Sequence, residues 1–217
     1  MKNLSSYYSP DSCVNCSFKN PNVKPVFPGN DFKEVPVMFI GENPSRAENQ
    51  AMPFDPKTTS GRALEKHYLN PLNLTRDQVW ITDLIKCQYP KYMYKAKIKY
   101  KTKILETADV CANRWLVKEI EHTKPKVIVT LSNKEVYQKI RDIFHLDVPS
   151  DFNKAVGNPY PVTINRHSTL LFPMIHPDIS RPVGEGDKRK LRTREKWAPL
   201  HKKKHIPSLK KILLSNE

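Results

Sequence analysis

Four short polar sequences hold most of the side chains that could do chemistry: Gly41-Glu42-Asn43-Pro44-Ser45, Lys86-Cys87, Ser132-Asn133 and His176-Pro177-Asp178. A carboxylate beside an amide, as at Glu42 and Asn43, can hold a water and face a developing positive charge. A histidine such as His176 can donate to a developing anion, and a donor fixed in a water-poor site strengthens as that charge grows. The four cysteines form a C-x2-C pair, Cys13 and Cys16, followed after 70 residues by Cys87 and after 23 more by Cys111. A compact zinc ribbon has C-x2-C in both halves, an iron–sulfur cubane needs four thiolates, and an unliganded cysteine behaves as a small buried hydrophobe. Spacing alone leaves cluster, zinc and core cysteine open.

The elements that must position these groups are legible as apolar, β-branched runs. Val35 to Ile40, Val79 to Ile85, Lys126 to Leu131 and Thr169 to Ile175 each read as a buried strand. Helical patterns lie between them at Ser60 to Leu69, Ile104 to His122 and Asn133 to Phe144, the last capped by Ser132 with Glu135 three residues on. Alternating strands and helices imply a three-layer α/β/α domain around a mostly parallel sheet of about four strands. In such sheets, sites form beyond the carboxyl ends of the strands, which is where the four polar sequences fall. The whole chain, 1–217, reads as one domain, with an irregular segment at 1–30 and a basic extension at 183–217 that ends in a short amphipathic helix, Pro207 to Leu214.

The 217 residues carry a net charge of +15, unevenly placed. Lys86 to Lys103 holds 7 Lys and no acid, and Asp187 to Lys211 holds 11 Lys plus Arg against 2 acids, so the rest of the chain is close to neutral. Localised positive charge suits a polyanion, because neutralised phosphates release counterions. Lys91, Lys95 and Lys97 stand among Tyr89, Tyr92, Tyr94 and Tyr100, a mixture of charge and stacking faces that fits splayed or single-stranded nucleic acid. His201 and His205 fall in the second basic segment and read as solvated. No apolar run approaches the ~20 residues of a membrane-spanning helix, and no h-region of a secretory signal is visible. The reading is an intracellular protein, cytoplasmic or nucleoid-associated, with reduced or metal-bound thiols.

In their order, these motifs resemble the family-four, iron–sulfur branch of the uracil-DNA glycosylase superfamily. That pattern has an early C-x2-C, a strand ending G-E-[AG]-P-G, an acidic position and P-F. It continues with N-x-x-K-C, a later Cys on a helix before K-P-x-V-I-V-x-L-G, then G-N-P and H-P-S. Here stand Cys13/Cys16, Gly41-Glu42-Asn43-Pro44-Ser45, Glu48, Pro53-Phe54, Asp83-Leu84-Ile85-Lys86-Cys87, Cys111, Lys124 to Leu131, Gly157-Asn158-Pro159 and His176-Pro177. The resemblance covers residues 13 to 178. It implies a monofunctional DNA glycosylase, acting as a monomer on an extruded base in base excision repair, with Cys13, Cys16, Cys87 and Cys111 on a [4Fe-4S] cluster of structural role.

The resemblance also implies roles at the site. Glu42, with Asn43 second, holds the water; His176 donates to the base O2; Gly41, Phe54, Asp83 and Glu48 bind the base, Glu48 near its C5 edge. Arg181, in the loop after His176-Pro177, contacts DNA from the minor groove, and Lys91, Lys95 and Lys97 contact the strand. The informative departure is Asp83, where relatives have Asn. An ionised Asp accepts but cannot donate, so it suits a base with an exocyclic amine, such as cytosine, unless it is protonated in the pocket. Ser45 for Gly and Asp178 for Ser are lesser departures. They leave two competing readings: an iron–sulfur DNA-binding member with altered or lost catalysis, and a zinc-stabilised enzyme of nucleotide metabolism.

Overall fold

A computed structural model describes residues 16, 25–28, 31, 33–44, 51–88, 99–132, 135–180 and 191–215. Cys13, Glu48, Lys91, Lys95, Lys97 and Arg181 lie outside the described residues.

Five strands form one sheet in the order β2-β1-β3-β5-β4. They are β1 (Val37–Gly41), β2 (Trp80–Asp83), β3 (Val127–Leu131), β4 (Tyr160–Ile164) and β5 (His167–Met174). β1 pairs in parallel with β2 and β3, and β3 in parallel with β5, while β4 is antiparallel to β5. The mostly parallel three-layer reading holds. The sheet has one strand more than expected, however, because β4 is an edge strand that alternates buried with exposed residues and contains Pro161. Its hairpin turns on Asn165 and Arg166, both at positive φ, the conformation a two-residue turn needs to match strand twist.

Strand residues alternate between two apolar clusters, the period-2 pattern of a sheet covered on both faces. Met38, Ile40 and Ile128 join the first cluster, and Val37, Phe39, Val127 and Val129 the second. Three long helical stretches supply the cover, each with one π-helical turn. The first is α1 at 59–72 (Thr59–Leu64, the π turn Glu65–Leu69, Asn70–Leu72). The second is α2 at 101–123 (Lys101–Cys111, Ala112–Leu116, Val117–Thr123). Shorter helices follow, α3 (Glu135–Ile143), α4 (Phe152–Ala155) and α5 (Pro177–Ser180). The third long stretch is α6 at 191–214 (Leu191–Leu200, His201–His205, Ile206–Leu214). α2 and α3 cover the first face through Trp115, Ile120, Val136 and Ile140. α1 covers the second through Leu64, Tyr68 and Leu69. The expected cap on α3 is present: Val136 N donates to Ser132 Oγ at 2.8 Å.

The basic C-terminal segment differs from its reading. Residues 191–215 fold against the body, with Trp197 in the first cluster and Ile206 and Leu209 in the second. His201 and His205, expected in solvent, are each 2% exposed. Their rings fill space between α6 and the body: His201 Nε2 meets the His67 carbonyl at 2.9 Å, and a Cβ at Gly157 (φ +76°) would stand 2.3 Å from His205 Cδ2. Burial pushes both imidazoles down to about 4, with the neighbouring charges of His205 and Lys204 adding to it. The outer surface of α6 keeps Arg192, Lys202, Lys203, Lys204 and Lys211 exposed. No helix among the described residues is long and apolar enough to cross a membrane.

Candidate active site

The chain leaves β1 for β2 on one side and returns to β3 on the other, so the carboxyl ends of β1 and β3 flank a topological switch point, where open α/β sheets bind ligands. Gly41 pairs in register with Asp83, and the loops beyond remain stitched together: Leu84 N donates to Gly41 O and Ile85 N to Glu42 O, both at 2.9 Å. The two motifs read from sequence as separate are therefore one surface.

Gly41 is required here by space. A Cβ at this position would lie 2.2 Å from Asp83 Oδ1 and 2.5 Å from Phe54 Cε2, distances no side chain tolerates. The carboxyl and the ring thus close over the Gly41 backbone from two directions. Phe54 is held in a positive-φ conformation, φ 50°, which a bulky residue adopts only when its surroundings enforce it. The enforcement is visible. Its carbonyl accepts from Arg76 Nη2, the next residue's carboxylate accepts from Lys57 N at 2.8 Å and Ala51 N at 3.1 Å, and Thr58 caps α1 by accepting from Gly61 N. Those backbone N–H groups, Lys57 first, hold the Asp55 carboxyl below its ordinary value. The ring so presented lies 6.0 Å from that of His176, tilted by 37°.

His176 follows β5 and is half-buried. Its Nδ1 accepts from Asp178 N at 3.2 Å, so in the neutral imidazole the proton sits on Nε2, which becomes the donor. The Tyr68 hydroxyl fixes the strand end below it by donating to Ile175 O.

Asp83 is 2% exposed, and its Oδ2 has no hydrogen-bond partner among the described residues. Burial raises its carboxyl to about 7, against the pull of Lys86 and with the push of Glu119 and Glu42. In its protonated form the carboxyl has one donor and one acceptor. Asn43 turns its amide to the Pro44 carbonyl at 2.9 Å, a contact that fixes the turn. Glu42 instead receives Lys139 Nζ from α3 at 2.8 Å. Lys139 gave no signal in the sequence, where a lysine on an amphipathic helix reads as a solvated face.

Beneath the site lies a buried ion pair. Lys86 and Glu119 side chains are 1% and 0% exposed and meet at 2.8 Å, with Lys86 also donating to Thr82 Oγ1 and to Asp83 O. Lys86 belongs to the first basic segment by sequence, yet it is an internal tie between the β2 loop and α2. That tie runs between the two segments that carry Cys87 and Cys111. Val26 N donates to Lys86 O at 2.8 Å, and Phe27 packs edge-on against Trp115 at 5.5 Å, so residues 25–28 dock on the same flank. Cys111 belongs to the first apolar cluster and Cys16 packs against it. Cys16, Cys87 and Cys111 form no disulfide. No group of three or more His, Cys, Asp or Glu side chains among the described residues is arranged as a metal site.

Comparison with known proteins agrees with this geometry. The model of the Uracil DNA glycosylase superfamily matches residues 28–192. A Type-4 uracil-DNA glycosylase of Sulfurisphaera tokodaii is 28% identical over 192 residues, covering 83% of this chain and 79% of the relative. Proteins of the same name from Saccharolobus solfataricus (28%, covering 78% and 76%) and Archaeoglobus fulgidus (25%, 76% of each) are similar. A family match across most of the chain, on a switch-point crevice carrying Gly41, Glu42, Phe54, Asp83 and His176, means that this chain belongs to the uracil-DNA glycosylase superfamily.

Proposed function

We propose that the protein removes uracil from DNA by hydrolysing the N-glycosidic bond, the first step of base excision repair. The observation that carries the reading is the closure of the Asp83 carboxyl and the Phe54 ring over Gly41, with Glu42 and His176 beside them. An extruded pyrimidine stacks on Phe54. The protonated Asp83 carboxyl donates to O4 and accepts from N3–H, the pairing an amide would make. His176 Nε2–H donates to O2, where negative charge grows as the bond to C1′ breaks and its electron pair passes to N1 of the base. Glu42 faces the cationic sugar and holds the water whose oxygen bonds to C1′, the water's proton leaving to solvent. Asn43, committed to the Pro44 carbonyl, supports the turn, which favours Glu42 for this role. Glu48 lies near the C5 edge of the base, and Arg181, Lys91, Lys95 and Lys97 contact the DNA.

Cys13, Cys16, Cys87 and Cys111 hold a [4Fe-4S] cluster in this reading. The donor chemistry fits: Cys16 packs against the apolar cluster that contains Cys111, and Cys87 follows Lys86, which is tied through Glu119 to the helix that carries Cys111. Bound there, the cluster supplies cross-linking of the N-terminal segment to the β2 loop and α2.

A second specificity is supported by the same carboxyl, because a protonated Asp83 can equally donate to N3 of cytosine and accept from its exocyclic amine. The test is a panel of single- and double-stranded oligonucleotides carrying uracil or cytosine at one site, scored for abasic sites. Release of uracil is expected, slowed on the order of 10²-fold by His176→Ala and by Glu42→Gln. Absence of uracil release by the wild-type protein overturns the reading, and release of cytosine alone reassigns the base.

A further inference from the structure

α3 presents Val136, Tyr137 and Ile140 to the core, and Lys139 stands among them at 7% exposure. An ammonium withdrawn from water is costly unless a charge partner and good geometry compensate, so a lysine retained here marks a requirement at its tip. The tip meets Glu42 Oε1 at 2.8 Å, and the Glu42 side chain is itself only 19% exposed. Among the described residues, the ionisable side chains around the ends of β1 and β2 include the carboxyls of Glu42, Asp83 and Glu119 and the ammoniums of Lys86 and Lys139. The His176 ring lies 6.0 Å from that of Phe54. Each ammonium has taken a carboxylate: Lys86 holds Glu119 and spends its remaining protons on Thr82 Oγ1 and the Asp83 backbone, while Lys139 holds Glu42. Asp83 is the carboxyl whose side chain receives neither, and its Oδ2 is buried without a partner among the described residues.

Resting on the glycosylase reading above, we propose that Lys139 is a positioning residue that divides the labour of the two acids. Its ammonium keeps Glu42 ionised and fixed at the end of β1, and this leaves Asp83 as the acid of the pocket that carries a proton. Acid and base assignments follow when two nearby groups have their environments pushed apart. Without Lys139, Glu42 and Asp83 share one low-dielectric crevice with one ammonium fewer, and their titrations couple more strongly. Glu42 would then lose its charge at a pH where the sugar still needs it.

Carboxyl-carbon NMR titration of the intact protein, assigned with Glu42→Gln and Asp83→Asn, reads this without reference to activity. In wild type, Glu42 is expected to be ionised at pH values where Asp83, raised to about 7, still carries its proton. Lys139→Gln should move the Glu42 midpoint up by about one pH unit or more and raise the acid limb of the pH–rate profile on the released base equally. Lys139→Arg should leave both where they are. Coincident Glu42 titrations in wild type and Lys139→Gln overturn the proposal. Should Lys139→Gln fail to fold by circular dichroism, the wild-type titration decides alone, since Asp83 ionising before Glu42 also overturns it. A wild-type protein that releases no base would sink the glycosylase reading while leaving these midpoints to stand or fall separately.

Discussion

Acidification should loosen α6 through His201. The imidazole is 2% exposed, wedged against Tyr68 at a ring separation of 4.4 Å, and lowered from 6.5 to about 4 chiefly by burial. A histidine whose folded value lies below its unfolded value contributes stability that is complete above pH 6.5 and is lost as pH falls toward 4, because the unfolded chain takes up the proton first. Between pH 7.5 and pH 5 the two values give a loss of about 2 kcal/mol from this one residue. Asp83 acts in the opposite sense. Its folded value is raised to about 7, so the stability it contributes is present at low pH and is lost as pH rises through 7. His205, also lowered to about 4, acts in the same sense as His201, so the wild-type pH curve sums opposing residues and is by itself a poor test. The difference between wild type and His201→Gln cancels Asp83. Measured by urea denaturation, the wild-type advantage at pH 7.5 should shrink by about 2 kcal/mol at pH 5. An advantage unchanged to within about 0.5 kcal/mol would refute the claim that a neutral, buried imidazole holds this helix.

Two further outcomes follow from the packing. Lys86→Met, which takes the buried ammonium away from Glu119, should cost about 3–5 kcal/mol of unfolding free energy, whereas Lys86→Met with Glu119→Leu should recover a large part of it; equal losses in both would show that the pair carries no coupling. Gly41→Ala puts a methyl into the Asp83 carboxyl and the Phe54 ring, so base release should fall at least 10-fold through KM and kcat together; an unaffected rate would separate this crevice from the chemistry.

Much of this was legible in the residues. Four strands announced themselves because a sheet covered on both faces demands continuous apolar runs, as in Val37–Gly41 and Val127–Leu131. The crevice residues stand together because Gly41 and Asp83 end paired strands, Glu42 and His176 come just after strands, and Phe54, in the loop before α1, closes on Gly41. β4 escaped because an edge strand exposes alternate residues and tolerates Pro161. The first half of α6 escaped because its charge and internal Pro199 mimic a solvated tail, while Arg194 and Trp197 turn inward. Lys139 escaped for a related reason: a long aliphatic stem lets a charged residue cross apolar ground to reach a distant partner, and no periodicity records where the tip ends.

The π turn His201–His205 sets the phase of α6. One such turn adds a residue relative to α geometry, and each residue rotates a helix by about 100°. Trp197 upstream lies in one layer of the molecule and Ile206 and Leu209 downstream in the other, so one continuous helix helps to close both faces of the sheet. The widened turn holds its surplus residue locally, so deleting Lys203 should restore an ordinary α turn and leave Ile206 and Leu209 inward, whereas inserting a residue would rotate them by about 100°. The turn thus makes the length of this helix tolerant in one direction only.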